Sequence, residues 1–273
     1  MNKENLFISL FNNKHIGDDA AYIDGFVYSA DAFFEDIHFK REWMSLYEIG
    51  YKAMAVNISD AIAMNAEPKY AILSIGLPKD IRPICMKELS LGLRDCASFY
   101  KTEIIGGDTI ASNKIDISIT LISKTKKPIF RKRVKEGYYL AYTGELGSVK
   151  RDLNRLFRGV KVSKYSKFKR PVLKKEFMKR VSRYIKAAMD ISDGLFEDLG
   201  KLSKLNRIGF EFFEKIPKRV GCSGEEYELL FAFDKRDLKA ILNISKITRT
   251  PITIFAKAAF KPYRNICKPH HFT

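Results

Sequence analysis

The residues best suited to chemistry are aspartates, and they recur in one kind of setting. Asp18 and Asp19 follow a glycine in "IGDDAA", and Asp31 sits in "SADAFFEDIHF" at an expected strand end. Asp108 follows two glycines in "IGGDT", Asp190 and Asp193 share "MDISDG", and Asp60 lies in "AVNISDAIAM". Aspartate offers hard oxygen ligands, and glycine lets main chain come close to a ligand. Repeated together, these features suit several magnesium ions on a polyphosphate. Taken singly, each is ordinary turn or cap chemistry, and Ser192 or Asp193 could simply start a helix. Asp60 differs. Its helix is apolar almost all round, through Ala53, Met54, Val56, Ile58, Ala61 and Ile62, and such a helix is expected to be buried. A buried, unpaired carboxylate is costly or titrates to neutral. A metal would relieve it, and so would a lysine partner.

Machinery for other chemistries is missing. No G-x-x-x-x-G-K-[ST], G-x-G-x-x-G or G-x-S-x-G run occurs, nor any H-R-D and D-F-G pair. His15, His38, His270 and His271 have no metal-ligand spacing apart from the terminal pair. Cys85, Cys96, Cys222 and Cys267 form no C-x-x-C, so neither a zinc site nor a disulfide framework is expected.

The elements that must position the aspartates follow from periodicity. Strands are expected at Gly25 to Phe34 and in "KYAILSIGL", "EIIGGDT" and the strictly alternating "KIDISITLIS". Helices are expected from Ser45 to Ala66, ahead of Pro68, and in the run that begins at Pro83. This first half has β-α-β-α-β-β order. After a basic segment come a strand at "YYLAYTG", a helix starting near Leu146, a basic helix over roughly Pro171 to Ile185 and a helix in "SDGLFEDLGKLSKL". A strand at "YELLFAF", a helix at "KRDLKAILNIS" and a strand at "PITIFAKAAF" complete the second half. A division between Lys124 and Gly137 is expected. Glu197 and Asp198 are read as solvated helix charges.

With 273 residues the chain can form two ordinary domains, and no apolar run reaches the length of a membrane span. The N-terminus is not read as a signal peptide. A soluble, cytoplasmic protein with reduced cysteines is expected. The net charge of +17 suits an anionic partner. The lysine-rich stretches are read as a solvated face, since no nucleic-acid-binding module accompanies them.

Taken in order, "IGDDAA", "SADAFFEDIHF", "YKAMAVNISDAIAMNAEP", "IIGGDT", "TGELGS", "AMDISDGLFEDL" and "CSGEEYELLF" cover residues 16 to 231. They resemble the ATP-dependent superfamily of aminoimidazole ribonucleotide synthetase, selenophosphate synthetase and the hydrogenase-maturation dehydratase. Within it they look most like the thiamine-monophosphate kinases. The resemblance implies a two-domain α/β (α+β) fold. Residues 1–130 would form a mixed sheet with helices that binds ATP and metal and pairs with its twin in a homodimer. Residues 131–273 would form a C-terminal α/β domain, with ATP in the cleft between the two. The implied reaction moves the ATP γ-phosphoryl group onto the phosphate of thiamine monophosphate, with Mg²⁺ as cofactor.

Residue by residue, the resemblance implies magnesium contacts at Asp19, Ser29, Asp31, Asp60, Asp108, Asp190 and Asp193. It implies ATP contacts at Gly107, Asp108, Arg131 and Ser192, and substrate contacts at His38 and Glu225. No general base is implied. The chain departs from the family at "SADA", where Ala30 and Ala32 replace hydroxyl residues, so any metal contact there must use main-chain oxygen. It also departs at "KPHHF", where Pro269 stands in place of an aromatic that packs on thiamine; either Pro269 or His270 would take over that wall, or the substrate ring would find another. The alternatives are a same-fold enzyme with another phosphoryl acceptor and a non-catalytic, basic nucleic-acid-binding protein.

Overall fold

A computed structural model describes residues 3–11 and 13–268; Pro269 and His270, the expected substitutes for the thiamine wall, lie outside them. The elements begin α1 (Lys3–Ser9), β1 (Ala21–Ile23), β2 (Phe26–Phe34), α2 (Leu46–Ala63), β3 (Glu67–Pro78), α3 (Pro83–Phe99), β4 (Glu103–Ser112) and β5 (Asp116–Lys124). They continue β6 (Tyr139–Thr143), α4 (Ser148–Phe157), α5 (Lys175–Val181), β7 (Ile185–Asp190), α6 (Leu195–Asn206) and β8 (Gly209–Phe212). Last come α7 (Lys218–Gly221), β9 (Leu229–Phe233), α8 (Leu238–Ile247) and β10 (Ile252–Ala259). None of the described helices is long and apolar enough to cross a membrane.

The chain forms two compact units, each built from separated segments. The first takes residues 1–21, 129–150 and 174–273; the second takes 22–128 and 151–173. The expected division after residue 130 lies near the change-over at Pro128/Ile129. No local signal announces the exchange of segments 1–21 and 151–173, although the latter contains most of the amphipathic α4.

The second unit is a five-stranded mixed sheet in the order β1-β2-β5-β3-β4, with β3 and β4 parallel and β5 antiparallel to both β2 and β3. Alternation along β2 and β5 buries Val27, Ser29, Phe33, Ile117, Ile119 and Leu121 beneath α2. The opposite face leaves Tyr28, Tyr70, Ile72, Ile105 and Ile110 exposed. Ser45 and Glu48 cap α2 reciprocally, and Asn65, in left-handed conformation, turns the chain out of the helix before Pro68. Helices α2 and α3 approach through glycine: a Cβ on Gly50 would lie 2.3 Å from the Leu89 carbonyl oxygen, and one on Gly92 would lie 2.0 Å from that of Tyr47. Segment 151–173 joins this unit through Phe168. Its ring lies 3.9 Å from the ammonium of the fully buried Lys52 and packs edge-on against Trp43. Lys169 adds an ion pair to Glu48 at 3.0 Å.

The first unit is an antiparallel sheet in the order β7-β9-β6-β10-β8. Every residue of β9 is buried because both faces are covered. Leu230 and Ala232 join Leu195, Leu199 and Leu202 of α6, while Phe231, on the other face, packs against Phe177 of α5. The expected basic helix is much shorter than its sequence run, since Ile185 already begins β7. The cysteine reading is corrected here: Cys222 and Cys267 form a disulfide, and only Cys85 and Cys96 are free. A separation of 45 residues gave no local spacing signal.

Candidate functional site

In the first unit the acids converge at the end of β7 and the loop before β1. Asp190 is the last residue of β7, opposite Leu229 of β9, and is almost fully buried. One of its carboxylate oxygens lies within 4.8 Å of one from Asp19. The Asp19 side chain is itself fully enclosed, and its Oδ2 has no hydrogen-bond partner. Arg131 grips the other oxygen, Oδ1, with Nη2 and with Nε at 3.0 Å. Burial pushes the Asp19 carboxyl up and Arg131 pulls it down; burial prevails. Burial likewise pushes Asp18 up, to about 6, even though its Oδ1 accepts the Arg131 main-chain N–H at 2.6 Å. Arg131 is anchored from behind by Asn206 of α6, whose amide donates to the Arg131 carbonyl at 2.9 Å.

The turn 191–194 carries Ser192 and Asp193 into α6. Lys201, two turns along α6, reaches back to Asp193 at 2.6 Å and to Asp198 at 2.8 Å. The reading of Asp198 as a solvated charge is corrected: the residue is fully buried, and burial raises its carboxyl to about 6 despite Lys201. Burial would lower the Lys201 ammonium, but the two carboxylates outweigh it and hold it above its ordinary value. Glu197 accepts from the Asn265 amide. The apolar residues around Asp198 explain the miss: its neighbours Leu195, Phe196, Leu199 and Leu202 put it on the core-facing side of α6. The signal that could have found Lys201 is its i,i+3 spacing from Asp198.

Segment 221–228 lies against that turn. Glu225 donates its main-chain N–H to the Ser192 carbonyl at 2.6 Å and has a left-handed φ of 55°. Its neighbours are structural. Glu226, almost fully buried, accepts from the main-chain N–H of Gly147 at 2.7 Å and from Ser223 Oγ at 2.6 Å. Glu228 accepts from Thr143 Oγ1 at 2.6 Å and faces Lys174 at 3.6 Å.

In the second unit β2 carries Ser29 and Asp31 on the face toward α2. The Asp31 main-chain N–H donates to Asn57 Oδ1 at 3.0 Å, and Asn57 is fully buried, returning its own amide to the Ala53 carbonyl. Ser29 Oγ is buried with no hydrogen-bond partner. Asp60, one turn beyond Asn57, is half-buried on an otherwise enclosed helix. His38 accepts the Phe34 N–H at Nδ1 (3.0 Å), which leaves Nε2 as the protonated nitrogen, and its ring stacks on Phe33. Gly107 and Asp108 lie in exposed β4, where a Cβ on Gly107 would meet the Leu73 carbonyl oxygen at 1.7 Å. Asp108 Oδ1 accepts the Thr109 N–H at 2.9 Å.

The first unit fits a hard cation, and the second offers oxygen donors for one. Asp19, whose Oδ2 has no hydrogen-bond partner, lies beside a second buried carboxylate, and Ser29, with an orphaned hydroxyl, shares a strand face with Asp31.

Residues 17–125 match the family model described as AIR synthase related protein, N-terminal domain. The thiamine-monophosphate kinase of Aquifex aeolicus (strain VF5) is 30% identical over 267 residues, covering 87% of this chain and 86% of that protein. That of Leptospira interrogans serogroup Icterohaemorrhagiae serovar Lai (strain 56601) is 31% identical over 263 residues, covering 84% of each. The solved structure of AaThiL complexed with AMPPCP and TMP superposes with a TM-score of 0.85 at 25% identity, covering 96% of this chain and 91% of that one.

Proposed function

Because the chain belongs to the thiamine-monophosphate kinase family, we propose that it transfers the γ-phosphoryl group of ATP directly to the phosphate of thiamine monophosphate, giving thiamine diphosphate and ADP. The observation that carries this reading is the buried Asp19–Asp190 pair with an unpartnered carboxylate oxygen beside Arg131. The nucleophile is a phosphate oxygen already ionised at neutral pH, so the reaction asks for no general base. The obstacle is repulsion between two anions. Asp19, Ser29, Asp31, Asp60, Asp108, Asp190 and Asp193 would hold magnesium, which would supply charge neutralisation and in-line alignment.

The chain's own groups do the positioning. Arg131 fixes Asp19 while its guanidinium adds positive charge for the nucleotide. Lys201 sets the direction of Asp193. Gly107, lacking a Cβ, lets β4 close on the Leu73 carbonyl of β3 and offers its main chain, with Asp108, to the nucleotide, and Ser192 offers its hydroxyl from the turn. His38, with its proton on Nε2, and Glu225 are the substrate contacts. A second copy of the chain would cover the sheet face that exposes Tyr28, Tyr70, Ile72, Ile105 and Ile110, since an apolar patch of that kind favours association.

The deciding assay follows thiamine diphosphate and ADP together, with ATP, Mg²⁺ and thiamine monophosphate. Equimolar formation of both, abolished by EDTA, is expected. ADP without thiamine diphosphate would overturn the acceptor, and no nucleotide turnover would overturn the kinase reading.

A further inference from the structure

Segment 221–228 is braced from two sides. On one side, main-chain hydrogen bonds tie it to the turn of Asp190, Ser192 and Asp193: Glu225 N–H to the Ser192 carbonyl, Tyr227 N–H to the Ile191 carbonyl at 2.9 Å, and Ile191 N–H to the Glu228 carbonyl at 2.8 Å. On the other side, Cys222 is bonded to Cys267. The bracing has work to do, because Glu225 and Tyr227 both adopt left-handed main-chain conformations, at φ 55° and 50°. Such residues persist only where their surroundings over-determine them.

The far end of the disulfide is weakly held. Beyond β10 the described chain to Lys268 has neither helix nor strand. Tyr263 donates its hydroxyl to the Phe196 carbonyl at 2.8 Å, Asn265 donates to Glu197, and the Cys267 N–H turns back to Asn265 Oδ1 at 2.9 Å. Cys222 is buried in the core of the first unit, whereas Cys267 is only partly buried against it. Residues 261–268 therefore lean on α6 from one side and are covalently fastened to the loop before β9 on the other.

We propose that Cys222 and Cys267 are positioning residues for the Glu225 segment, joined and parted by thiol–disulfide exchange, with the joined form binding the phosphorylated substrate more tightly. The proposal rests on the kinase reading for its substrate, and neither sulfur touches reacting atoms. In the reducing direction a thiolate of an external dithiol attacks Cys267 Sγ, the more accessible sulfur, and Cys222 leaves as thiolate. The second thiol of the reductant resolves the mixed disulfide. The reductant ends oxidised to its own disulfide, and both cysteines, after protonation, end as thiols.

Alkylation of the unfolded protein before and after reduction tests the bond itself. Two modified cysteines are expected without reductant and four with it; four in both would overturn the proposal. Calorimetric titration with thiamine monophosphate, without ATP, then tests the consequence. Reduction by dithiothreitol should weaken binding by roughly 10-fold and raise the KM for this substrate to match, with kcat changed by less than about two-fold. Cys222→Ser/Cys267→Ser should hold the weaker value with or without reductant. Equal affinity in both redox states overturns the proposal. Limited trypsin digestion separates this result from a failure of the kinase reading. If thiamine monophosphate binds neither form, the acceptor assignment falls, while faster cleavage at Lys261 and Arg264 in the reduced protein still supports the clasp, and equal cleavage sinks it.

Discussion

In the first unit Asp19, Asp193 and Asp198 are each held by a cation of that unit, Arg131 or Lys201. In the second unit Asp31 and Asp108 are set by main chain: one by a strand whose N–H enters Asn57, the other by parallel pairing of β4 with β3. The difference teaches where each set is vulnerable. Acids held by cations respond to loss of the partner's charge. Acids held by strand geometry respond to steric change in the backbone.

The sharpest break is Asp190→Asn. It keeps size and burial but removes one carboxylate of the buried pair, and kcat should fall by about 10²–10³-fold with the thermal transition little changed. Near-full activity would remove Asp190 from the site. Gly107→Ala tests the other unit. Its φ of 149° and a Cβ at 1.7 Å from the Leu73 carbonyl oxygen leave no room, so urea unfolding should show a loss of about 3–4 kcal/mol.

Burial of two acids in the first unit predicts a pH effect, which the neighbouring cations reduce but do not cancel. Asp18 and Asp198 have folded pKa values of about 6 against an ordinary 3.8, so the folded state binds their protons more tightly than the unfolded state. Stability should therefore be greatest below about pH 4 as far as these groups go, and fall as pH rises to about 6. Asp198→Asn should flatten that slope by something on the order of 3 kcal/mol across the window, with Asp18 leaving a residual slope. Chemical denaturation at intervals of pH measures it, and an unchanged slope would show that Lys201 fully compensates the buried charge.

The smallest effects come from a pair of double-mutant cycles. Arg131→Met with Asp19→Asn should give a coupling of about 2 kcal/mol, and Arg180→Met with the exposed i,i+4 partner Glu176→Gln about 0.4 kcal/mol. Equal couplings would erase the distinction between enclosed and solvated charge pairs.

The sequence made the second unit easiest to read. Capping by Ser45, Pro68 after α2, and the alternation of β5 are local signals, and local physics sets those elements. Asp19 and Asp108 stood out by the glycines before them, Asp190 by sharing an acid-rich stretch with Asp193, and Asp60 by the apolar helix around it, whereas Asp31, expected at a strand end, lies inside β2. What escaped was set by tertiary structure. Asp198 looked solvated because its burial depends on which side of α6 meets the sheet. Lys201 carried no motif. The short β7 was hidden at the end of a basic run, since a six-residue buried strand has no periodicity of its own. Cys222 and Cys267 are distant in sequence and gave no pairing signal. The exchange of segments 1–21 and 151–173 depends on contacts such as Phe168 on Lys52, which no window of local sequence contains.

That exchange bears on how the chain is made. The first unit owns residues 1–21, yet Arg131, the partner of Asp19, lies 112 positions further on. At typical rates of elongation the ribosome needs roughly 6–22 seconds to cover that distance, and longer to reach Asp190. The sheet formed from residues 22–128 can be complete on the nascent chain while Asp19 still waits for its arginine. The aspartate pair is therefore a late product of synthesis, and a nascent chain that has emerged only through residue 128 would present a finished sheet joined to residues 1–21, whose Asp19 still has nothing to close upon.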